Sequence, residues 1–249
     1  MYSLITGASS GIGRAMALEL AKRGSDLILV ARRETELKEL KDIITTQYKV
    51  AVVIKVLDIS IVDNCKQLHL EVQPLNPFIV INNAGFGRVG LFSEIDLDTE
   101  LLMIDTNIVA VQVLTKLFVK SMSDGIILNV SSVAGMLPTP LMATYAATKS
   151  YVLNFSRAIN HELKSSKSKL RVLSLNPGPV ITEFGKVAQT KQKMQGMSAE
   201  RCAKIAVKGL LKRKSVIVPG FSMKMMRLLV KFIPMGIVMP LAYKIQNKK

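Results

Sequence analysis

The sequence contains no tryptophan and very few cysteines and histidines. The cysteines are Cys65 and Cys202 and the histidines are His69 and His161, and no two of these residues stand at the spacing of metal ligands. The sequence therefore predicts neither a disulfide-stabilised scaffold nor a metal site. The first residues also lack the basic flank and apolar run of a secretory signal, so a cytoplasmic location is expected.

Acidic side chains are scarce in the last quarter of the chain. Residues 186–249 contain twelve lysines and three arginines but one acid, Glu200, so this segment carries +14 of the chain's net charge of +16. Its basic residues alternate with Met, Leu, Ile and Val. That mixture favours the surface of an anionic membrane over nucleic acid as a partner.

The segment Phe221–Lys249 is expected to form a basic amphipathic extension of the domain. Lys224, Arg227 and Lys231 recur at spacings of three and four, which places them on one helix face. The apolar run Phe232–Tyr243 has only 12 residues and two prolines, so it is too short to span a bilayer. Peripheral membrane contact is therefore expected, and the alternative is that the segment covers a substrate cleft or a second subunit.

The rest of the 249-residue chain alternates short apolar runs with longer stretches of helical period. The predicted strands are Tyr2–Thr6, Asp26–Ala31, Ala51–Asp58, Phe78–Asn82, Ile126–Val130, Arg171–Leu175 and Ser215–Val218. The predicted helices lie near residues 12–23, 34–47, 61–72, 98–122, 143–164 and 198–213. Continuous apolar strands separated by helices indicate a doubly wound α/β fold, with a parallel seven-stranded sheet covered on both faces. The pattern fills residues 1–249 as a single domain.

A glycine-rich turn follows the first predicted strand, where residues 6–13 read TGASSGIG before a helix begins. Glycines let the backbone turn sharply and approach a pyrophosphate, while the helix N-terminus points free N–H groups at the anion. The spacing is G-x-x-x-G-x-G and differs from the G-x-G-x-x-G fingerprint. Its place after the N-terminal strand nevertheless favours dinucleotide binding.

The second predicted strand is followed by two arginines instead of the acid that usually binds an adenosine ribose. Arg32 and Arg33 occupy this position. Guanidinium groups bind phosphate oxygens in a forked arrangement, so the pair favours the 2′-phosphate of NADP. The alternative is a solvated surface pair, because Glu34 and Glu36 follow closely.

Three residues in the middle of the chain have the chemistry of proton transfer. Ser132 follows the fifth predicted strand, Tyr145 stands 13 residues later, and Lys149 is four positions beyond Tyr145. The tyrosine and the lysine share one helix face. An ammonium group near a phenol stabilises the phenolate, so the spacing predicts a lowered pKa for Tyr145 and an acid/base role.

The order and spacing of these motifs resemble those of the short-chain dehydrogenase/reductase family. The resemblance covers about residues 2–185 and rests on the segments 6–13, 82–85 and 176–182 together with Asp58, Asn107, Ser132, Tyr145 and Lys149. It implies a Rossmann-type fold and hydride transfer between NADP(H) and a carbonyl or secondary alcohol.

The resemblance also implies roles for individual residues. Tyr145 would protonate the carbonyl oxygen, Ser132 would hydrogen-bond it, Lys149 would lower the Tyr145 pKa and hold the nicotinamide ribose, and Asn107 would support a proton path to Lys149. The implied cofactor-binding residues are Gly7, Ser9, Ser10, Gly11, Ile12, Gly13, Arg32, Arg33, Asp58, Ile59, Asn83, Tyr145, Lys149, Val180 and Thr182. NADP-dependent relatives often carry a basic residue at the position of Ser10, which leaves Arg32 and Arg33 to set the preference here.

The sequence thus predicts an NADP-dependent oxidoreductase acting on a small-molecule carbonyl or alcohol. The stretches Gly87–Phe92, Gly135–Met142 and Glu183–Met197, expected to select the substrate, carry few charges and favour a hydrophobic one. The resemblance implies a homo-oligomer, a dimer or tetramer, paired through the helices near 98–122 and 143–164. The alternatives are an NAD-linked alcohol dehydrogenase and a non-enzymatic dinucleotide-sensing or membrane-scaffold protein.

Overall fold

Seven parallel strands form the central sheet of the computed structural model, which describes residues 1–190, 196–230 and 232–247. The strands are β1 (Tyr2–Thr6), β2 (Asp26–Ala31), β3 (Val52–Val56), β4 (Ile79–Asn82), β5 (Asp124–Val130), β6 (Lys169–Leu175), β7 (Val180–Ile181), β8 (Met197–Ser198) and β9 (Val216–Ile217). The order across the main sheet is β3-β2-β1-β4-β5-β6-β9, and β7 pairs with β8 separately. Because the winding direction reverses between β1 and β4, a crevice opens at their carboxyl ends.

Helices cover both faces of this sheet. The α-helices are α1 (Gly11–Ala21), α2 (Glu34–Tyr48), α3 (Val62–Val72), α4 (Leu97–Ile104), α5 (Ala110–Ser121), α6 (Ala143–Ser165), α7 (Phe184–Val187), α8 (Ala199–Leu211), α9 (Phe221–Leu229) and α10 (Met235–Gln246). Adjacent strand residues enter opposite cores: Leu4 and Ile28 share one core with α3 and α5, whereas Ile5 and Leu29 share another with α1, α2 and α8. Side chains alternate along a strand, so each continuous apolar run supplies both cores. The doubly wound α/β prediction is confirmed.

The helix predicted near 98–122 is observed over Leu97–Ser121, but its middle is not regular α-helix. A π-helical turn, Asp105–Val109, separates α4 from α5, and the N–H of Ala110 bonds to the carbonyl oxygen of Asp105. The apolar period continues through this turn, so the sequence gives no signal for it. The combined segment Leu97–Ser121 is long and apolar enough to cross a membrane, but Phe118 is buried in the core with the sheet.

The expected basic extension comprises two helices, α9 and α10. Lys231, Lys248, Lys249 and the side chain of Arg227 lie outside the described residues, so of the predicted basic face only Lys224 is described. Several strand ends also differ from prediction. The structure has β3 ending at Val56, β5 beginning at Asp124 and β6 beginning at Lys169, and β9 comprises only Val216–Ile217.

Candidate active site

The glycine turn joins β1 to α1 at the head of the crevice. Gly7 and Gly11 adopt φ values of +66° and +53°, in the left-handed region that favours glycine. A Cβ atom at Gly13 would lie 2.3 Å from the carbonyl oxygen of Gly7, so the turn closes only on a residue without a side chain. The Ser10 side chain makes no capping hydrogen bond to α1. The first N–H groups of α1 are therefore free of side-chain caps, as an anion site at a helix N-terminus requires.

A hydrogen-bonded clasp holds the glycine turn against the end of β4. The hydroxyl oxygen of Thr6 accepts the N–H groups of Asn83 and Ala84 at 3.0 and 3.1 Å. The Asn83 side-chain amide donates to the carbonyl oxygens of Thr6 and Gly7 at 3.0 and 3.2 Å. Asn83 therefore fixes the width of the crevice between two strands that are far apart in the sequence.

The two arginines after β2 lie at the rim of the crevice, but each has an acidic partner. Arg33 donates to the Ser9 hydroxyl at 3.2 Å and forms ion pairs with Glu183 at 3.0 Å and with Glu36 at 3.4 Å. Arg32 is 69% exposed and lies 3.5 Å from Asp58. Glu183 was not among the predicted site residues, and no local pattern signals a pair that is 150 residues apart.

Asp58 and Ile59 form the floor of the crevice beside β3. Burial favours the neutral form of Asp58, but hydrogen bonds from the N–H and hydroxyl of Ser60, together with Arg32, hold the pKa of this carboxyl below its usual value. The Asp58 carboxylate is therefore an ionised acceptor at neutral pH.

Ser132, Tyr145 and Lys149 meet on the same side of the crevice, at the end of β5 and in α6. The Ser132 hydroxyl accepts the N–H of Ala134 at 3.1 Å and lies close enough to the phenol of Tyr145 to lower the pKa of that phenol. Lys149 Nζ donates to the carbonyl oxygen of Val130 at 3.0 Å and lies 5.8 Å from the centre of the Tyr145 ring. The structure thus brings the three predicted side chains together.

The pKa of Tyr145 moves in the direction opposite to the prediction. Burial raises it to about 12, opposed only by the hydrogen bond with Ser132. Burial also lowers the pKa of Lys149 to about 8. The desolvation of the phenol outweighs the expected effect of the lysine, so Tyr145 is a protonated hydroxyl, ready to act as a donor, across the neutral range.

Asn107 lies in the π-helical turn behind the cavity and is fully buried. Both of its amide hydrogens are used, since Nδ2 donates to the carbonyl oxygen of Phe86 at 2.9 Å and to the hydroxyl of Thr148 at 3.0 Å. Its Oδ1 accepts the N–H of Phe86 at 3.1 Å. In this structure the Asn107 side chain holds the loop after β4 against α6 and does not line the cavity.

A buried polar network fixes α6 relative to the sheet. Asn129 at the end of β5 accepts from Asn82 at 2.8 Å and donates to Ser156 of α6 at 3.0 Å. A second tie lies beside it, where the hydroxyl of Ser131 donates to the carbonyl oxygen of Lys149 at 2.6 Å. These bonds set the position of the helix that carries Tyr145 and Lys149.

One cavity of about 920 Å³, here called the catalytic cavity, joins these parts. All the predicted site residues line it except Gly13, which packs beneath the turn, and Asn107. Val180 and Thr182 contribute from the loop after β6. The C-terminal helices cover the far end, where Met223 and Met226 of α9 and Ile245 of α10 face the cavity.

Several lining residues were not singled out from the sequence. Phe184 packs against Tyr145 with ring centres 5.4 Å apart. A Cβ atom at Gly87 would lie 2.8 Å from the Tyr145 ring, so the loop after β4 passes close to the phenol. Arg88 also lines the cavity and has no ion-pair partner among the described residues. It stands in the stretch Gly87–Phe92, where no local pattern in the sequence signals a functional cation.

Metal and thiol chemistry has no basis in the described part of the chain. No group of three His, Cys, Asp or Glu side chains is placed there to hold a metal ion. Burial raises the pKa of Cys65 to about 11 and that of Cys202 to about 12. Both thiols are therefore protonated and unreactive at neutral pH.

Comparison with protein families and curated sequences gives a consistent result. The family model for short chain dehydrogenases matches residues 2–193. The very-long-chain 3-oxoacyl-CoA reductases of Rattus norvegicus and Anas platyrhynchos are 34% and 36% identical to this chain over 214 and 196 residues. These alignments cover 83% and 76% of this chain and 67% and 62% of the two relatives. The chain thus spans about two thirds of the length of the curated relatives that it matches.

Solved structures show the same similarity. A short-chain dehydrogenase from Sphingobium yanoikuyae in complex with NADPH superposes with a TM-score of 0.82 at 30% identity, covering 94% of this chain and 96% of that one. An alcohol dehydrogenase from Thermococcus sibiricus complexed with 5-hydroxy-NADP gives a TM-score of 0.78 at 28% identity, covering 87% and 94%.

Proposed function

Because the chain belongs to the short-chain dehydrogenase/reductase family, we propose that it is an oxidoreductase that uses NADP(H) to interconvert an apolar ketone and its secondary alcohol. The observation that carries this proposal is the convergence of Ser132, Tyr145 and Lys149 with the glycine turn in one cavity. NADP(H) supplies the hydride, and the protein supplies binding, orientation and a proton.

The residues present fit such a cofactor. The glycine turn admits no side chain at Gly13, and a Cβ atom at Gly11 would lie 3.2 Å from the Thr182 side chain, so the bare backbone keeps the groove open. Arg32 and Arg33 lie at the rim of the same cavity and suit a 2′-phosphate. Both solved structures compared above carry NADPH or an NADP derivative, which supports the same preference.

The proton chemistry follows from the three side chains. A carbonyl oxygen near Tyr145 and Ser132 would accept hydrogen bonds from both hydroxyls. Tyr145 donates its proton to this oxygen during reduction. The phenolate that remains is disfavoured by burial, and the ammonium of Lys149 offsets its charge. In the reverse direction the same phenolate removes the alcohol proton.

We propose a long-chain 3-oxoacyl thioester as the substrate class. The similarity to very-long-chain 3-oxoacyl-CoA reductases supports it. The cavity supports it as well, because it is lined by the apolar side chains of Leu102, Leu137, Met142 and Met226. Arg88, which has no ion-pair partner among the described residues, supplies a cation suited to an anionic group on the substrate.

A substrate panel tests the proposal. Loss of NADPH absorbance is followed with short ketones, long-chain 2-alkanones and 3-oxoacyl thioesters, with NADH in parallel. We expect turnover of the apolar substrates with NADPH and markedly less with NADH. A preference for NADH would identify an NAD-linked alcohol dehydrogenase instead. Tight NADPH binding without turnover of any substrate would favour the sensing or scaffold alternative.

We further propose that the outer side of the C-terminal helices contacts an anionic membrane from the cytoplasm. The inner side of α9 covers the catalytic cavity, but Phe221 and Phe232 are 78% and 77% exposed. Lys224 of α9 and Lys244 of α10 belong to the same segment. Exposed aromatic side chains beside lysines suit the boundary between lipid headgroups and acyl chains.

Flotation with anionic and neutral vesicles tests this contact. The change of Phe221 and Phe232 to serine should abolish binding to anionic vesicles, and added salt should weaken binding of the unaltered protein. The matched control is Leu70→Ser, because Leu70 is 67% exposed on α3, outside this segment. Equal binding by both variants, or no binding by the parent, would contradict the proposal.

We also propose that the chain forms a dimer or tetramer through the helices near 98–122 and 143–164, as the family resemblance implies. The hydroxyl of Tyr151 in α6 bonds to Gln112 in α5 at 2.5 Å, so the two helices form one surface. Ala158 and His161 are exposed there. Sedimentation equilibrium tests this, and a monomer at all concentrations would contradict it.

A further inference from the structure

A second cavity lies beside the catalytic cavity, between α6 and the C-terminal helices. It has a volume of about 800 Å³. One wall is the outer face of the first half of α6, and the opposite wall includes Val230, Met235 and Met239. None of the roles assigned above to catalysis or cofactor binding uses this space.

The two cavities share part of their lining. Leu137 and Thr139, in the loop between β5 and α6, line both the catalytic cavity and the second cavity. The second cavity is thus separated from the catalytic cavity only by this short segment. A flexible chain that starts near Tyr145 would reach the second cavity by passing Leu137.

The second cavity is lined mainly by small and apolar side chains. Ala143, Ala146 and Ala147 leave room along α6, and two methionines form part of the opposite wall. Methionine adapts its shape to irregular apolar partners. Among the described residues, the one charged side chain in the lining is that of Arg157, which is exposed and therefore in contact with water. This lining suits hydrocarbon better than a polar ligand.

We propose that the second cavity is a subsite for the distal hydrocarbon chain of a long-chain substrate whose carbonyl group lies at Tyr145. The inference rests on the proposed function for the identity of the reacting group. Its independent basis is the apolar cavity that borders the catalytic cavity at Leu137. The chain's own helices form one wall, which favours an intramolecular ligand site over an interface between copies.

Substrate chain length gives the first test. Each methylene group buried from water should raise kcat/KM about fourfold until the subsite is full. Ala147→Phe fills the second cavity from a position that does not line the catalytic cavity. In this variant the ratio of kcat/KM for long-chain to short-chain 2-alkanones should fall at least about tenfold. A fall of this size is expected when about two methylene groups of the substrate are no longer buried.

Ala158→Phe is the matched control. Ala158 is also exposed on α6, but it lines neither cavity. The long-to-short ratio should stay within about twofold of the parent, because the added ring lies outside both cavities. An unchanged ratio in Ala147→Phe, or an equal fall in both variants, would overturn the subsite.

A binding measurement separates this inference from the proposed function. A fluorescent C18 polyene fatty acid is titrated into the parent and both variants, and then displaced by saturated C8 and C16 acids. We expect Ala147→Phe alone to weaken binding of the probe, and the C16 acid to displace it from the parent far better than the C8 acid. This result would support the subsite even if no ketone were reduced.

Equal probe affinity in all three proteins would overturn the subsite even if ketones were reduced. Sedimentation of the same samples tests whether a second copy of the chain, instead of a hydrocarbon chain, occupies the cavity. If Ala147→Phe dissociates an oligomer of the parent protein, the cavity belongs to an interface between copies and the inference is wrong.

Discussion

Arg33 and Glu183, 150 residues apart, form an ion pair of 3.0 Å at the rim of the catalytic cavity. The pair occupies the guanidinium group that best suits the 2′-phosphate of the cofactor. The Arg33 hydrogen bond holds the pKa of Glu183 below its usual value, so the carboxylate is charged at neutral pH. NADPH must therefore compete with Glu183 for the same side chain.

Glu183→Gln should tighten NADPH binding. The change removes the nearer of the two charges that compete for Arg33, the other being Glu36, and leaves an amide that can still accept from Arg33. The expected gain in NADPH affinity is about 2- to 5-fold, which is the size of effect that an exposed ion pair has. This gain should become smaller in high salt. Fluorescence titration with NADPH and NADH measures it. The control is Glu19→Gln, which removes an ion pair between Glu19 and Arg23 outside the cavity. A similar gain in NADPH affinity in both variants would contradict the proposed competition between Glu183 and the cofactor.

Arg32→Asp combined with Arg33→Ala should weaken NADPH much more than NADH. A charge-assisted hydrogen bond contributes about 1.5–3 kcal/mol, so a shift of tenfold or more in the ratio of the two dissociation constants is expected. The same titrations measure this ratio. Two results would show that the arginines do not set the cofactor preference. One is equal affinity of the unaltered protein for NADPH and NADH, and the other is a ratio of dissociation constants that the double change does not alter.

Tyr145→Phe should retain cofactor binding and lose turnover, because the ring remains while the proton donor is removed. Loss of an acid/base group lowers the rate about 10²- to 10⁴-fold. Steady-state kinetics with NADPH and the best ketone measure the rate, and titration confirms that NADPH still binds. Near-full activity in this variant would show that Tyr145 is not the acid.

The rate of carbonyl reduction should fall as the pH rises above about 8. Burial lowers the pKa of Lys149 to about 8, so its ammonium loses its proton in this range, whereas Tyr145, with a pKa of about 12, stays protonated. Without that positive charge, the negative charge of the phenolate that remains after Tyr145 donates its proton is not offset. The profile of kcat/KM against pH measures the effect, and Lys149→Arg should move the fall to higher pH. If Lys149→Arg leaves the profile unchanged, the fall in rate is caused by the titration of another group.

Arg88→Met should raise KM for 3-oxoacyl thioesters of coenzyme A more than for uncharged ketones. Arg88 lines the catalytic cavity without an ion-pair partner in the described parts of the chain, so its charge is available to the phosphates of the carrier. An increase on the order of 10-fold is expected for a lost charge-assisted contact. Arg88→Lys should restore part of it. Equal effects on both substrate types would argue for a role in packing.

The sheet and the reacting side chains could be predicted because their signals are local. The boundaries of β1 and β2 match the apolar runs Tyr2–Thr6 and Asp26–Ala31, and Tyr145 and Lys149 share a helix turn. The π-helical turn at Asp105–Val109 could not be predicted, since one extra residue in a helical turn leaves the apolar period almost unchanged.

Long-range pairing and desolvation account for the remaining errors. Glu183 reaches Arg33 only because β7 and β2 end at the same edge of the fold. The spacing of Tyr145 and Lys149 correctly predicts proximity, but it carries no information on burial, which decides the direction of the Tyr145 pKa. The orientation of α9, whose inner face lies against the cavity, likewise depends on tertiary packing.

The clasp between Thr6 and Asn83 has a kinetic consequence for the whole chain. One hydroxyl receives both N–H groups from residues 77 and 78 positions away, so the cofactor groove exists only after β4 has docked beside β1. Such long-range contacts form late in folding. A dinucleotide therefore finds its site only on a nearly complete sheet, and its binding should slow unfolding while leaving the rate of refolding almost untouched.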